Sequence, residues 1–304
     1  MNLIFMGSAG FSIPSLEKLF NSQHKILALV TVSDKEKGRG QKVSASPVKE
    51  FGIKNNIPIL QPEKLKDENF IKQLKDFNCD LFVVVAFRIL PKAVFTIPPK
   101  GSFNLHASLL PKYRGAAPIQ WAIIKDEQKT GVTTFALEEK VDTGNIYLQE
   151  EVIINEEDNF ETLHDKLSEV GAEAVLKTVN MIETGNYNLK SQDNSLATPA
   201  PKITPETGKI DWTKSAIDIH NLVRGLSPVP CAYFYHDGKK FKIYKTKITS
   251  QKNPVPGKIT QTKKNLYADC GKDKLDILEL QLEGRKRMSA EEFLRGFSFE
   301  RNID

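Results

Sequence analysis

"DLFVVVAF" spans Asp80–Phe87. Three successive valines behind Leu81 and Phe82 leave no polar face for water, so the run reads as a central parallel strand covered on both sides. Outward from it the same texture recurs in "LIFMG" (Leu3–Gly7), "KILALVTVS" (Lys25–Ser33) and, briefly, "PIL" (Pro58–Leu60). Segments with helical spacing separate them. "IPSLEKLF" (Ile13–Phe20) follows Ser12 as a candidate N-cap, "SPVKEFGIKNN" opens with Ser46 before Pro47, and "DENFIKQLKDF" precedes the valine run. This alternation predicts an α/β domain built on an open, doubly wound, mostly parallel sheet.

In such sheets ligands bind beyond the carboxyl ends of the strands. The first turn reads "GSAGF", not G-x-G-x-x-G, and no P-loop follows anywhere, which argues against a dinucleotide or nucleoside triphosphate. Chemistry is expected instead in "FNLHASLLPKYRGAAPIQWAI" (Phe103–Ile123). Asn104 and His106 stand two residues apart, so on a strand they share one face while Phe103 and Leu105 take the other. The Ser108-Leu109-Leu110-Pro111 turn comes next, and "GAAPIQWAI" opens a helix with unpaired N–H groups. Downstream, "GVTTFALEEKVDTGNIY" puts Asp142 at a turn, from which a carboxylate reaches back towards the imidazole. An amide, an imidazole and a carboxylate, with no Ser or Cys nucleophile on the strand, suit direct acyl transfer to an amine of the substrate. The amide would hold the oxyanion and the imidazole would manage the amine proton. Spacing alone leaves open that N-x-H is structural and that D-T-G is a plain turn.

With 304 residues the chain is long enough for two domains. After the amphipathic helix expected over Phe160–Ile182, "NYNLKSQDNSLATPAPKITPETG" is polar and Pro-dotted and reads as a connection. Beyond it, "SAIDIHNLVRGL" has helical spacing, and short segments between Gly and Pro turns predict a small β-barrel. The expected division is 1–188 as catalytic domain, 189–205 as linker and 206–304 as C-terminal domain. The net charge of +5 resides in the last of these, which holds 19 Lys/Arg against 13 Asp/Glu. Gly238–Ala268 carries Lys239, Lys240, Lys242, Lys245, Lys247, Lys252, Lys258, Lys263 and Lys264 with no acid, either a solvated face or a stripe that attracts a polyanion. Three scattered cysteines, no leader-like N-terminus and no membrane-length apolar run point to a reduced, cytoplasmic setting without membrane attachment.

Together, "NLHASLLPKYRGAAPIQWAI" and "GVTTFALEEKVDTGNI" resemble the signature of the 10-formyltetrahydrofolate-dependent formyltransferases. Similarity continues through "GRGQKVSASPVK", "AFRILPKAVF", "TGKIDWTKSAIDIHNLVRGLSPVPCAY" and "LEGRKRMSAEEFLRG". End to end the chain is most similar to the branch that formylates the α-amino group of methionine charged on initiator tRNA. The resemblance implies Asn104, His106 and Asp142 as catalytic set, and 10-formyltetrahydrofolate as co-substrate held by Phe87, Arg88, Ile89 and Leu90 and by Ser108–Pro111. It implies no metal and no obligate protein partner. It further implies a basic loop gripping the tRNA through Lys35, Lys37, Arg39 and Lys42, and a C-terminal barrel of the oligonucleotide-binding type whose Lys239, Lys240, Lys242, Lys245 and Lys247 meet RNA. Two departures stand out. The loop at Arg88 is one residue shorter than the family's, and "SAGF" replaces the usual T-P-x-F, with Gly10 in place of an acid. A formyltransferase for a small amine would share the strand but need no basic loop, and an RNA-binding protein on a decayed enzyme would bind no folate.

Overall fold

The computed structural model describes residues 1–37 and 42–299. The first half lays down β1 (Asn2–Gly7), α1 (Ile13–Phe20), β2 (Lys25–Val30), the short strands β3 (Lys35–Lys37) and β4 (Lys42–Ser44), α2 (Pro47–Lys54) and β5 (Ile59–Leu60). Then come α3 (Glu68–Asp76), β6 (Leu81–Val85), α4 (Lys92–Phe95), β7 (Ser102–His106), β8 (Arg114–Gly115), α5 (Pro118–Ile124), β9 (Lys129–Ala136), β10 (Ile146–Ile153) and α6 (Phe160–Thr184). The second half holds β11 (Pro199–Ala200), α7 (Ala216–Leu226), β12 (Ala232–His236), β13 (Lys239–Thr249), β14 (Ile259–Gln261), β15 (Leu266–Asp269), β16 (Lys274–Leu282), β17 (Met288–Ser289) and α8 (Ala290–Leu294).

The main sheet runs β10-β9-β7-β6-β1-β2-β5. Pairing is parallel from β5 through β7, and β9 joins β7 antiparallel. All five residues of β6 are buried, as expected of a strand covered on both faces. One cover is an apolar layer in which Ile4, Met6, Phe82 and Val84 meet Phe70 and Leu74 of α3. On β7, Leu105 lies so close to Gly171 of α6 that an added Cβ would come within 2.6 Å of its methyl carbon. Leu105 thus faces the core, which turns Asn104 and His106 the other way.

Local signals explain most helix starts. Ser46 caps α2 by accepting from the Lys49 N–H, with Pro47 in the first turn. At α1 the outcome differs from the expected cap. A 3₁₀ turn over Gly10–Ser12 precedes the helix, and the Ser12 hydroxyl donates to the Ala9 carbonyl at 2.7 Å instead of accepting from the helix. The connection after α6 is an ordered strap: Lys190 bridges to Ile146, and Thr198 receives the Tyr113 N–H on its hydroxyl and the Arg114 N–H on its carbonyl.

Two compact units result, and neither is continuous in sequence. The first comprises Met1–Gly115, Thr130–Ile153 and His164–Pro199; the second comprises Ala116–Lys129, Ile154–Leu163 and Ala200–Asp304. Within the second, the antiparallel sheet β12-β13-β16-β15-β14 curls around Phe234, Phe241, Ile243, Leu275, Ile277 and Phe293. Helix α7 opens with a full capping box, Ser215 and Asp218 each bonding the other's backbone. Among the described residues no helix is long and apolar enough to cross a membrane.

Candidate active site

Strand β7 carries the two polar side chains and sets their register. Asn104 pairs with Val84 of β6 on one side and Phe135 of β9 on the other; His106 pairs with Thr133. His106 is buried, with 6 % of its surface exposed. Its Nε2 lies 2.8 Å from the carbonyl oxygen of Tyr113. A carbonyl can only accept, so Nε2 carries the proton and the neutral ring keeps its lone pair on Nδ1. That Nδ1 stands 3.8 Å from Asp142 Oδ2, which is too long for a hydrogen bond but close for an ion pair once the ring is protonated. The ring's orientation is therefore set by a backbone carbonyl, and the carboxylate bears on it through charge.

Asp142 is itself held. Its Oδ2 accepts the Gly115 N–H at 2.9 Å, and its backbone has φ 56°, in the left-handed region. Gly144, two residues on, presses against β9; a Cβ there would lie 1.8 Å from the Ala136 carbonyl oxygen, so only glycine fits. Tyr113 (φ 60°) and Ala86 (φ 50°) share the same uncommon backbone region, and both border the predicted site segments. The half-buried Asn104 amide has no hydrogen-bond partner among the described residues, leaving its N–H groups available to a substrate oxygen.

The Ser108–Pro111 turn, whose Leu110–Pro111 peptide is cis, is fixed from β9 and β10. Thr133 donates its hydroxyl to the Ser108 carbonyl and receives the Leu110 N–H; Gln149 donates to the Leu110 carbonyl at 2.9 Å. On the loop after β6, Ile89 is 72 % exposed, Phe87 is half-buried and Leu90 enters the core. Arg88 reaches over to the Pro62 and Glu63 carbonyls at 2.7 and 3.0 Å. Its Nε is buried without a partner, and burial lowers the affinity of the guanidinium for its proton. An apolar edge, an orphaned donor and a free amide fit a flat, carbonyl-bearing ring system. No thiol competes as nucleophile: burial pushes Cys79 up to about 11 and Cys270 up to about 12, and raises Cys231 as well. Among the described residues no three His, Cys, Asp or Glu side chains are placed to hold a metal ion.

For the polyanion contacts the structure is uneven. Arg39 lies outside the described residues, whereas the backbones of Lys35, Lys37 and Lys42 belong to the antiparallel β3–β4 pair. Lys239, Lys240, Lys242, Lys245 and Lys247 all lie on β13, and Phe241, Ile243 and Thr246 point to the core. Lys240 Nζ sits 3.6 Å from the Tyr233 ring centroid, beside Tyr235, which is 56 % exposed. A register shift after Ile243 brings Lys245 opposite Glu279 of β16, a second shift restores the register and leaves Lys247 opposite Asp276, and Lys245 also pairs with Glu157 at 3.6 Å. The stretch that lacks acids in sequence thus acquires them across the sheet: the Glu283 carboxylate accepts the Lys240 N–H at 3.2 Å, while Lys242 lies opposite Gln281 and has no acid facing it on β16. A cavity of about 750 Å³ in the second unit is lined by Asp126, His220, Arg224, Lys245 and Arg287 among others, none of them from the Asn104–His106–Asp142 set. Three of its cations are engaged: Arg224 with the Asn155 and Asp158 carbonyls, Lys245 with Glu157, Arg287 with Glu279.

Sequence reasoning missed Tyr113, Gly115 and Gln192, which hold the set together through backbone groups or from far along the chain. Residues 1–179 match the family described as formyl transferase, and residues 202–298 match the formyl transferase C-terminal domain. The methionyl-tRNA formyltransferase of Caldanaerobacter subterraneus subsp. tengcongensis is 44 % identical over 299 residues, 97 % of each chain. That of Thermodesulfovibrio yellowstonii is 46 % identical over 303 residues, covering 99 % of this chain and 98 % of its own. Among solved structures, the N-formyltransferase of Helicobacter canadensis with folinic acid and dTDP-3-aminofucose superimposes with a TM-score of 0.66 at 23 % identity, covering 90 % of this chain and 98 % of that one. The sugar 3N-formyl transferase WlaRD, solved with dTDP and 5-N-formyl-THF, gives 0.69 at 22 % identity, covering 94 % and 99 %. These two share the fold.

Proposed function

Because this chain belongs to the formyl transferase family, we propose that it transfers the formyl group of 10-formyltetrahydrofolate to the α-amino group of methionyl-tRNA through Asn104, His106 and Asp142. The observation that carries the assignment of residues is one buried imidazole, anchored at Nε2 by a carbonyl, with its free Nδ1 3.8 Å from a carboxylate.

The Asn104 amide donates to the formyl oxygen and gains strength as that oxygen becomes negative. His106 Nδ1 takes the proton released as the amine nitrogen bonds to the formyl carbon, and the charge that appears on the ring is met by Asp142. His106 then returns this proton to N10 of the folate as the N10–carbon bond breaks, so atoms and charge balance and no covalent enzyme intermediate is needed. The exposed side of Phe87 and Ile89 and the pinned Ser108–Pro111 turn would hold the folate, with Arg88 Nε as a donor for a ring carbonyl. Lys35, Lys37, Arg39 and Lys42 on one side, and Lys239, Lys240, Lys242, Lys245 and Lys247 on β13, would meet the tRNA backbone of an initiator methionyl-tRNA, supported by charge and, at Lys240, by the adjoining tyrosines. This reaction belongs to translation initiation and places the protein in the cytoplasm of a bacterium.

Incubating the purified protein with 10-formyltetrahydrofolate and charged initiator tRNA, then analysing the released amino acid, tests the reading. Formylmethionine is expected; its absence, with a free amino sugar formylated instead, would overturn it.

A further inference from the structure

We propose that Gln192, on the strap between α6 and β11, is a positioning residue for the Asp142 carboxylate. The inference rests on the formyl-transfer reading and adds a residue to it. The Gln192 amide uses all four of its hydrogen-bonding positions. Its Nε2 donates to the carbonyls of Asp142 at 3.0 Å and Gly144 at 2.8 Å, and its Oε1 accepts from Arg114 Nε at 3.1 Å and Nη2 at 2.6 Å. Arg114 Nη2 also donates to Asn194 Oδ1 at 2.8 Å, so strap and side chain are tied twice.

The turn that Gln192 grips needs holding. Asp142 occupies the left-handed backbone region, and Gly144 is pressed onto the Ala136 carbonyl. The other end of the clamp is the tripeptide Tyr113-Arg114-Gly115, which touches every part of the pair. The Tyr113 carbonyl anchors His106, the Gly115 N–H anchors the Asp142 carboxylate, and the Arg114 side chain holds Gln192. One amide therefore links the tripeptide that anchors the base to the backbone that bears the acid.

The chemistry of the amide supplies the test. Only an amide both donates to two carbonyls and accepts from a guanidinium. Gln192→Glu keeps, and strengthens, the bond to Arg114 but loses both donations and sets a charged oxygen against two carbonyls. If Gln192 positions Asp142, Q192E and Q192A both lower kcat about 10- to 100-fold, the cost of misplacing a catalytic group by about an ångström. KM for folate and tRNA stays within about twofold, because neither substrate is touched. In an Asp142→Asn background Q192E then costs little more, since the group it positions has already gone. A tie that only secures the strap behaves otherwise: Q192E retains wild-type kcat through its ion pair with Arg114, and Q192A loses melting temperature with kcat intact. Either of those results, or fully additive losses in the double variant, overturns the assignment. Wild-type protein that formylates no methionyl-tRNA would instead overturn the functional reading.

Discussion

Replacing Asp142 with Asn removes one charge and almost nothing else. The substituted amide keeps an oxygen for the Gly115 N–H, which now donates to Oδ2 at 2.9 Å. What disappears is the attraction between a carboxylate and the imidazolium that forms 3.8 Å away when His106 takes the amine proton. At that distance unit charges attract by about 1 kcal/mol in water and by about 4 kcal/mol at an effective dielectric of about 20. Both side chains are largely out of solvent, His106 at 6 % and Asp142 at 11 %, so the larger figure applies. Neutral His106 feels little of this attraction, so the loss falls on the transition state. About 4 kcal/mol corresponds to roughly a thousandfold fall in kcat.

Single-turnover formylation with saturating folate and tRNA reads that number directly. The KM values should hold, and a thermal melt should show the fold intact. The deficit should also be insensitive to added salt, since counterions do not reach a shielded pair, while tRNA binding to the same protein weakens steeply. An Asp142→Asn rate within about threefold of wild type would refute the charge argument and leave Asp142 as a structural member of its turn.

Other outcomes follow from the same geometry. Gly144→Ala would put a Cβ 1.8 Å from the Ala136 carbonyl, so the turn must move; loss of activity with a melting temperature lowered by several degrees is expected, and an unaltered enzyme would show that the turn is loose. Burial, with Arg224 nearby, lowers His220 from 6.5 to about 4, against the opposing pull of Glu157 and Asp126. The unfolded chain therefore binds the extra proton first, and stability should fall as pH drops from about 6.5 towards about 4; His220→Gln should flatten that part of a urea-midpoint-against-pH plot. Reversing charge at Lys242, which lies opposite Gln281, should raise the KM for tRNA and reduce its logarithmic salt slope by about one, whereas Lys245→Glu, at a position already opposite Glu279, should do less; equal effects at the two would deny the uneven charge of β13.

How much of this geometry is open to sequence reading depends on which physical signal each residue leaves. The buried valines of β6 announce themselves because a strand covered on both faces has no polar alternation to disguise it. Asn104 and His106 share a face because strand geometry has period two, and the close fit of Leu105 on Gly171 shows why the register cannot slip. Asp142 is legible as a turn residue whose carboxylate can reach back to His106, but 35 residues of chain lie between the two, so spacing alone leaves a plain turn open and the family resemblance decides for the pair. The lysines of β13 were legible as charge but not as balance: Glu279 and Asp276 come opposite them through strand pairing and a register shift that composition does not encode.

Least legible were the groups that orient the reacting atoms. The Tyr113 carbonyl could belong to any residue, and the Gly115 N–H to any but proline, so neither leaves a side-chain signature. Gln192 is one polar residue among many in a stretch that reads as a linker. Yet those groups decide the mechanism. If Asp142 had taken the Nδ1 proton in a short hydrogen bond, neutral His106 would keep its lone pair on Nε2 and present that atom to the substrate. With Nε2 committed to Tyr113, the base is Nδ1, on the side where the carboxylate waits. The residue types announce which reaction the strand can support, and the backbone contacts around them choose the nitrogen that performs it.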